Sequence, residues 1–291
     1  MYKFKIKPSI KNFLNNNLDI GSFLLEKSLS HFKLEKFKED KFVIVSDKGK
    51  FVVQSGVDPK PLQIIAQNGI TPDIIVSGIL ETGEFIFVQN YVEASIPEEN
   101  WLIKNPKLLV SLIQKLHNIN NLKDILPKLG SESHKDCFQI YLQDIEKDLD
   151  ELEKFKNNKK IISSLFYLYS KKIQSISSKG LCPIHGDLYF NNLLLAKNSS
   201  LYLIDWEELH MSDPVRDIAL LAWSCFPRKY WKYLSELFGY NLDNKEFRIR
   251  FFLHISTRFL YLYLELVKSG YYEYAQQFIK YSILSSKLLE N

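Results

Sequence analysis

Ile184-His185-Gly186-Asp187-Leu188-Tyr189-Phe190-Asn191-Asn192-Leu193-Leu194-Leu195-Ala196 runs through Lys197-Asn198-Ser199-Ser200 into Leu201-Tyr202-Leu203-Ile204-Asp205-Trp206-Glu207-Glu208. Two apolar runs, Leu193–Ala196 and Leu201–Ile204, flank four small or polar residues, which is the pattern of a β-hairpin. Pairing Ala196 with Leu201 across a four-residue loop sets Asn192 opposite Asp205, with their Cβ atoms roughly 5 Å apart. An amide oxygen and a carboxylate then meet at the open end of the hairpin. Hard cations such as Mg²⁺ take oxygen ligands of this kind, commonly one or two carboxylates completed by substrate phosphates. Asp187, five residues before Asn192, stands beside that pair and can accept a hydroxyl proton. A bridged metal, a positioned nucleophile and charge neutralisation are the parts that phosphoryl transfer requires.

Outward from this segment the texture of the chain changes near residue 100. Before it, short β-like runs dominate. Lys41–Ser46 and Phe51–Gln54 flank the turn signal Asp47-Lys48-Gly49, and Asp73–Ser77 and Glu84–Tyr91 flank Thr82-Gly83. Pro61–Asn68 reads as a short helix stopped by Gly69. After residue 100 the pattern is helical. Leu108, Leu109, Leu112, Ile113 and Leu116 share one helix face, and Cys137–Phe155 and Ile161–Ile176 continue the pattern. Helices resume at Pro214–Cys225, Phe247–Lys268 and Tyr271–Leu289, and Asp213-Pro214 supplies an N-cap and a proline at the first helical position. The expected organisation is α+β and bilobal, with a small β-rich N-lobe and a larger helical C-lobe. Residues 1–30 form a partly helical N-terminal extension, 31–95 the N-lobe and 96–291 the C-lobe. A cleft between lobes is a preferred ligand site.

Composition narrows the function classes. The chain has 291 residues, 46% of them hydrophobic and 25% charged, enough apolar chain for a sizeable core. The formal charge of +4 is far from the strong excess of a nucleic-acid binder. Only Arg216, Arg228, Arg248, Arg250 and Arg258 supply arginine, the favoured bidentate reader of phosphate and bases. Cys137, Cys182 and Cys225 are odd in number and widely spaced, so no disulfide framework or metal motif is expected, and the reducing cytosol is the expected compartment. The lysine-rich N-terminus lacks the apolar core of a signal peptide, and Phe251–Val267 is interrupted by His254, Arg258 and Glu265. Neither a membrane nor a nucleic acid is an expected partner, and the oligomeric state is not legible.

Three linked motifs carry a family resemblance. His185-Gly186-Asp187 through Asn192, Ile204-Asp205-Trp206-Glu207 and Asp213-Pro214-Val215-Arg216-Asp217-Ile218-Ala219 resemble the aminoglycoside phosphotransferase/choline kinase superfamily. The wording is most similar to its bacterial choline kinase and thiamine kinase branches. The Asp187-to-Asn192 spacing is that of kinase catalytic loops. The resemblance extends over about residues 35–291, with Leu116-His117 placed like the end of the first C-lobe helix. It implies a protein-kinase-like fold and a magnesium-dependent, ATP- or GTP-using transfer of the γ-phosphoryl group to a small alcohol. Asp187 is then the catalytic base, His185 a member of the catalytic loop, and Asn192 and Asp205 the Mg²⁺ ligands. Asp217, with Asp213 nearby, supports the loop. Gln89, Asn90 and Tyr91, within Phe87–Val92, stand where the hinge meets the adenine.

The sequence departs from the family in the N-lobe. The third strand, Phe51-Val52-Val53-Gln54-Ser55, offers Gln54 where the family places a lysine or arginine against the phosphates, and Pro59–Gln63 has no partner acid. The phosphate-covering turn, Phe37–Phe42, contains no glycine. Lys41, Lys48 and Lys60 are the candidates for the missing charge, and a nucleotide-binding or regulatory pseudokinase is the alternative function. A protein kinase is the weakest reading, because no activation segment fits between Asp205 and Asp213. For the acceptor, Trp206, Glu207 and Glu208 follow the metal ligand, and Trp223, Trp231, Tyr261, Tyr263, Tyr271 and Tyr272 add aromatic faces. Aromatics with carboxylates suit a cationic acceptor of the choline, thiamine or aminoglycoside kind. Arg258, in an apolar helix, needs either a carboxylate such as Glu265 or an anionic substrate.

Overall fold

Along Lys41–Ser46 and Gly49–Ser55 the apolar residues are β-branched or aromatic, and the segments pair as adjacent antiparallel strands. They belong to a computed structural model that describes residues 7–18, 24–26, 41–46, 49–150 and 158–289. The elements in chain order are α1 (Pro8–Leu18), β1 (Leu24–Glu26), β2 (Lys41–Ser46), β3 (Gly49–Ser55), α2 (Pro59–Gln67), β4 (Ile74–Ile79), β5 (Phe85–Asn90) and β6 (Ala94–Ser95). Helices α3 (Glu99–Lys104), α4 (Pro106–His117), α5 (His134–Asp150) and α6 (Lys159–Ile173) follow. Then come β7 (Cys182–Ile184), β8 (Leu193–Ala196), β9 (Leu201–Leu203), β10 (His210–Ser212), α7 (Val215–Cys225), α8 (Trp231–Leu237), α9 (Lys245–Lys268) and α10 (Tyr272–Lys287). The chain is α+β, β-rich toward its N-terminus and helical toward its C-terminus, as the alternation of hydrophobic periods implies.

The described residues divide into two compact units, 7–98 with 190–207 and 99–189 with 208–289. In the first, five strands form an antiparallel sheet in the order β1-β2-β3-β5-β4. Its core gathers Ile44, Val53, Leu80, Ile86 and Val88 with Ile10 and Leu14 of α1. Burying the latter two contributes about 1.5–3 kcal/mol each relative to exposure. Phe13 of the same helix lies against Gly78, where an added Cβ would touch its ring. Helix α2 begins at Pro59, two residues earlier than the sequence suggests, because the Asp58 carboxylate accepts the Lys60 N–H at 2.9 Å. A three-stranded sheet, β6-β8-β9, completes this unit.

In the second unit α9 packs along α10 and α7. Tyr169 is fully buried and joins Ser256 and Ser282 at 2.5 and 2.8 Å, so the polar atoms at this helix crossing satisfy one another. Strands β7 and β10 pair antiparallel, with His210 opposite Ile184. Among the described residues no helix is long and apolar enough to cross a membrane. The three cysteines are free. Three of the sequence readings, the turn at Phe37–Asp40, the Lys48 cation and the helix beyond Asp150, lie outside the described residues.

Candidate active site

The hairpin that carries Asn192 and Asp205 forms in a register one residue away from the expected one. Leu193 faces Leu203 and Leu195 faces Leu201, and the Ile204 N–H donates to the Asn192 carbonyl at 3.1 Å. Asn192 therefore stands opposite Ile204, not Asp205. The cause is at the tip: Ser199 adopts φ 65°, and Ala196 N–H bonds to Ser200 O at 2.9 Å, closing a three-residue loop with one left-handed residue. In a regular strand this slip would send Asp205 to the other face. Asp205 instead leaves the strand with φ 70°, a left-handed conformation that re-aims its carboxylate.

The surroundings of that carboxylate are built from the same unit. The Leu203 N–H bonds to Ile70 O at 2.7 Å, and the Trp206 indole N–H bonds to Thr71 Oγ1 at 3.2 Å, which anchors both sides of Asp205. Trp206 is only 4% exposed, so its ring serves this anchor. Lys41 Nζ lies 3.5 Å from Asp205 Oδ1, and Lys41 is the cross-strand partner of the buried Gln54. Glu207 is exposed. Gln89 is buried and its side chain donates to Pro72 O at 3.2 Å, while the N–H groups of Asn90 and Tyr91 donate to Asp73 O and Lys50 O at 3.0 and 3.2 Å. The backbone N–H groups of Asn90 and Tyr91 are thus engaged inside the unit. Asn192 and Asp205 offer an oxygen donor set that fits a hard cation such as Mg²⁺. Among the described residues no cluster of three or more His, Cys, Asp or Glu is placed to hold a metal.

Asp187 belongs to the second unit, on a loop pinned by its backbone. Asp217 is fully buried at the start of α7, and it accepts the His185 N–H at 2.9 Å and the Gly186 N–H at 3.0 Å. His117, at the end of α4, meets the same carboxylate at 3.0 Å. Burial alone would raise Asp217; the His117 contact and the backbone donors hold it below the usual carboxylate range instead. Gly186 has φ 82°, and a Cβ there would collide with the Glu208 carbonyl, so only glycine lets the two segments approach. His185 is buried, and its Nδ1 is 3.4 Å from the Asp187 N–H.

Asp213 is buried beside this network. It accepts the Val215 N–H at 2.9 Å, Arg250 Nε at 2.8 Å and a second Arg250 donor, and it meets His254 Nε2 at 3.0 Å. Burial raises its pKa, but the Arg250 and His254 bonds outweigh that and hold it well below the carboxylate range. The Asp187 carboxylate is 27% exposed and accepts Arg258 Nη2 at 2.6 Å. Glu265, the partner considered for Arg258 from sequence, pairs with Lys268.

Arg258 also lines a cavity of about 160 Å³ with Tyr141, Glu208, His210, Arg216 and Tyr261. Of the aromatic faces singled out in the sequence only Tyr261 lies there. Trp223 packs on Trp231, Phe259 and Tyr281 with ring centroids 5.1–5.6 Å apart, and Tyr263 is buried with its hydroxyl on Asn158. Sequence reasoning missed Arg216 and Arg250. Arg216 stands in the first turn of the apolar α7 and Arg250 among the apolar residues of α9, and a cation in such company was the available signal.

Residues 60–250 match the phosphotransferase enzyme family. The chain belongs to that family. This phosphotransferase also shares its fold with solved structures of low sequence identity. Choline kinase LicA from Streptococcus pneumoniae superposes with a TM-score of 0.66 at 16% identity, over 97% of each chain. A choline/ethanolamine kinase family protein from Mesorhizobium loti gives 0.62 at 14% identity, over 92% of this chain and 93% of that one. The GDP and kanamycin complex of an aminoglycoside 2''-phosphotransferase gives 0.63 at 16% identity, over 98% and 99%. At these identities the likeness is one of fold. It does not select a choline kinase or thiamine kinase branch for this phosphotransferase.

Proposed function

We propose that this phosphotransferase moves the γ-phosphoryl group of ATP, or of GTP, to a hydroxyl of a small molecule. The observation that carries this is the Asp187 carboxylate, bonded to an arginine that lines a small cavity and carried on a loop whose backbone is pinned by Asp217. Family membership and the hairpin bearing Asn192 and Asp205 support it. Asp187 orients the acceptor hydroxyl and takes its proton. The hydroxyl oxygen forms a bond to the γ-phosphorus, the bond from that phosphorus to the β–γ bridging oxygen breaks, and the nucleoside diphosphate leaves with the electron pair. Asn192 and Asp205 would hold Mg²⁺, which supplies neutralisation of the phosphate charge when bound. Lys41, beside Asp205 and across from Gln54, supplies the cation that the third strand lacks.

Calorimetric titration with Mg·ATP, followed by a coupled assay for released ADP with a panel of small alcohols, tests this function. Binding together with acceptor-dependent ADP release is expected. Absence of both at millimolar nucleotide would instead favour a pseudokinase.

A further inference from the structure

The cavity beside Asp187 has a basic floor. Arg216 and Arg258 line it, with side chains only 5% and 14% exposed. Arg258 spends one edge on Asp187. Among the described residues Arg216 makes no hydrogen bond to a carboxylate. It lies over the Tyr141 ring at 4.6 Å, and its nearest carboxylate, Glu208, is 3.6 Å from Nη2 and 46% exposed. Its Nη1 is buried and makes no hydrogen bond. Burial, reinforced by the neighbouring Arg258 charge, pulls Arg216 down to about 9. Asp217 and Tyr261 offset this only in part. Asp144, another lining residue, pairs with Lys147 at 3.1 Å. His210 meets the Glu208 carbonyl at 2.7 Å through Nδ1, and His254 lies on Asp213. A buried guanidinium with an unused donor is held at a cost, so a group that completes it binds there at an advantage.

Size sets a second limit. A cavity of about 150 Å³ holds a molecule of about six non-hydrogen atoms. The roughly 160 Å³ here therefore suits about six to eight, far fewer than an aminoglycoside.

We infer that the cavity is the acceptor site and takes a small hydroxy acid, its carboxylate docked on Arg216 and its hydroxyl presented to Asp187. Arg216 is then a specificity-determining residue, with Arg258 the positioning residue between the carboxylate pocket and the base. This rests on the phosphotransfer function for its chemistry, but carboxylate binding does not require that function. The transfer is the one written above: the hydroxy acid oxygen gains the phosphoryl group, Asp187 gains the proton and the nucleoside diphosphate departs.

Glycerate and choline, each of about seven non-hydrogen atoms, oppose the two charges at equal size. The experiment titrates both, and 4-hydroxybutyrate, into the nucleotide-free protein by calorimetry, then measures turnover with ATP. Glycerate or 4-hydroxybutyrate should bind and choline should not. Arg216→Gln should weaken carboxylate binding or raise the acceptor KM at least tenfold, and Arg216→Lys should lie between it and wild type. Both variants should keep the wild-type Kd for Mg·ATP, which also reports that they fold. Preference for choline, or an Arg216→Gln variant with unchanged carboxylate affinity, overturns the inference. ATP binding without carboxylate binding sinks the inference alone; carboxylate binding without ATP binding sinks the phosphotransfer function alone.

Discussion

Lys41 and Gln54 are directly paired across β2 and β3, and it is Lys41, not Gln54, whose side chain reaches Asp205. Paired positions on adjacent strands carry Cβ atoms about 5 Å apart, so a cation can move from one strand to the next and serve the same region. Lys41→Met should raise the Kd for Mg·ATP about tenfold, which is ~1.4 kcal/mol. The double variant Lys41→Met with Gln54→Lys should recover most of that affinity, because the lysine stem can lie along the buried sheet while its ammonium reaches out. Calorimetry on the single and double variants checks both. A Lys41→Met protein that binds Mg·ATP as tightly as wild type would show that the 3.5 Å ion pair is only structural.

Asp187 should divide binding from chemistry. Asp187→Asn keeps the size of the side chain and its contact with Arg258 but cannot take a proton. General-base catalysis contributes about 10²–10⁴ in rate, so kcat should fall by at least about a hundredfold while the Kd for Mg·ATP changes less than threefold. Paired stopped-time assays and calorimetry measure the two effects on one preparation. Equal losses in both would assign Asp187 to nucleotide binding.

Much of this was legible because the sequence signals were local. The hairpin of β8 and β9, the pairing of Lys41–Ser46 with Phe51–Gln54 and the helix after Asp213-Pro214 follow from a few adjacent residues. Three features resisted. The register of β8 on β9 depends on one left-handed residue, Ser199, and serine carries no strong signal for that conformation. The ion pairs of Arg258 with Asp187 and of Arg250 with Asp213 span 71 and 37 positions, beyond any periodicity argument. Trp206 looked like a ligand-facing aromatic because of its neighbours, yet its indole N–H had a nearer use on Thr71. Propensity and spacing report elements and faces, whereas these contacts are set by packing between elements distant in sequence.

Gly186→Ala should be among the most disruptive small substitutions in the chain. The new methyl group meets the Glu208 backbone carbonyl, which is itself held by His210, so neither side yields cheaply. A left-handed φ adds about 1–2 kcal/mol for a residue with a Cβ. A loss of at least about 2 kcal/mol in urea unfolding is expected, together with weaker turnover because Asp187 is the next residue. Gly270→Ala is a suitable control, since its φ of 84° is similar and nothing lies within 4 Å of its added Cβ. Equal losses for the two would show that backbone strain alone explains the effect.

Acid should loosen the second unit through its buried histidines. His254 is pulled down to about 4, mainly by burial and against the pull of Asp213, and burial likewise lowers His134. A histidine whose folded pKa is depressed stays neutral in the fold while the unfolded chain takes up its proton. Its contribution is therefore intact above about pH 6.5, the unfolded value, and shrinks as pH falls toward the folded value. For His254 the window runs from about 6.5 down to about 4 and spans on the order of 3 kcal/mol. Asp213 and Asp217, both depressed, add to the loss only below about pH 4, where the unfolded carboxylates begin to bind protons. Urea midpoints measured between pH 7.5 and pH 4.5 should fall steadily. His254→Gln, which keeps a donor for Asp213 but cannot titrate, should flatten that slope while lowering the midpoint at pH 7.5 only modestly. An unchanged slope in the variant would move the acid sensitivity to other groups.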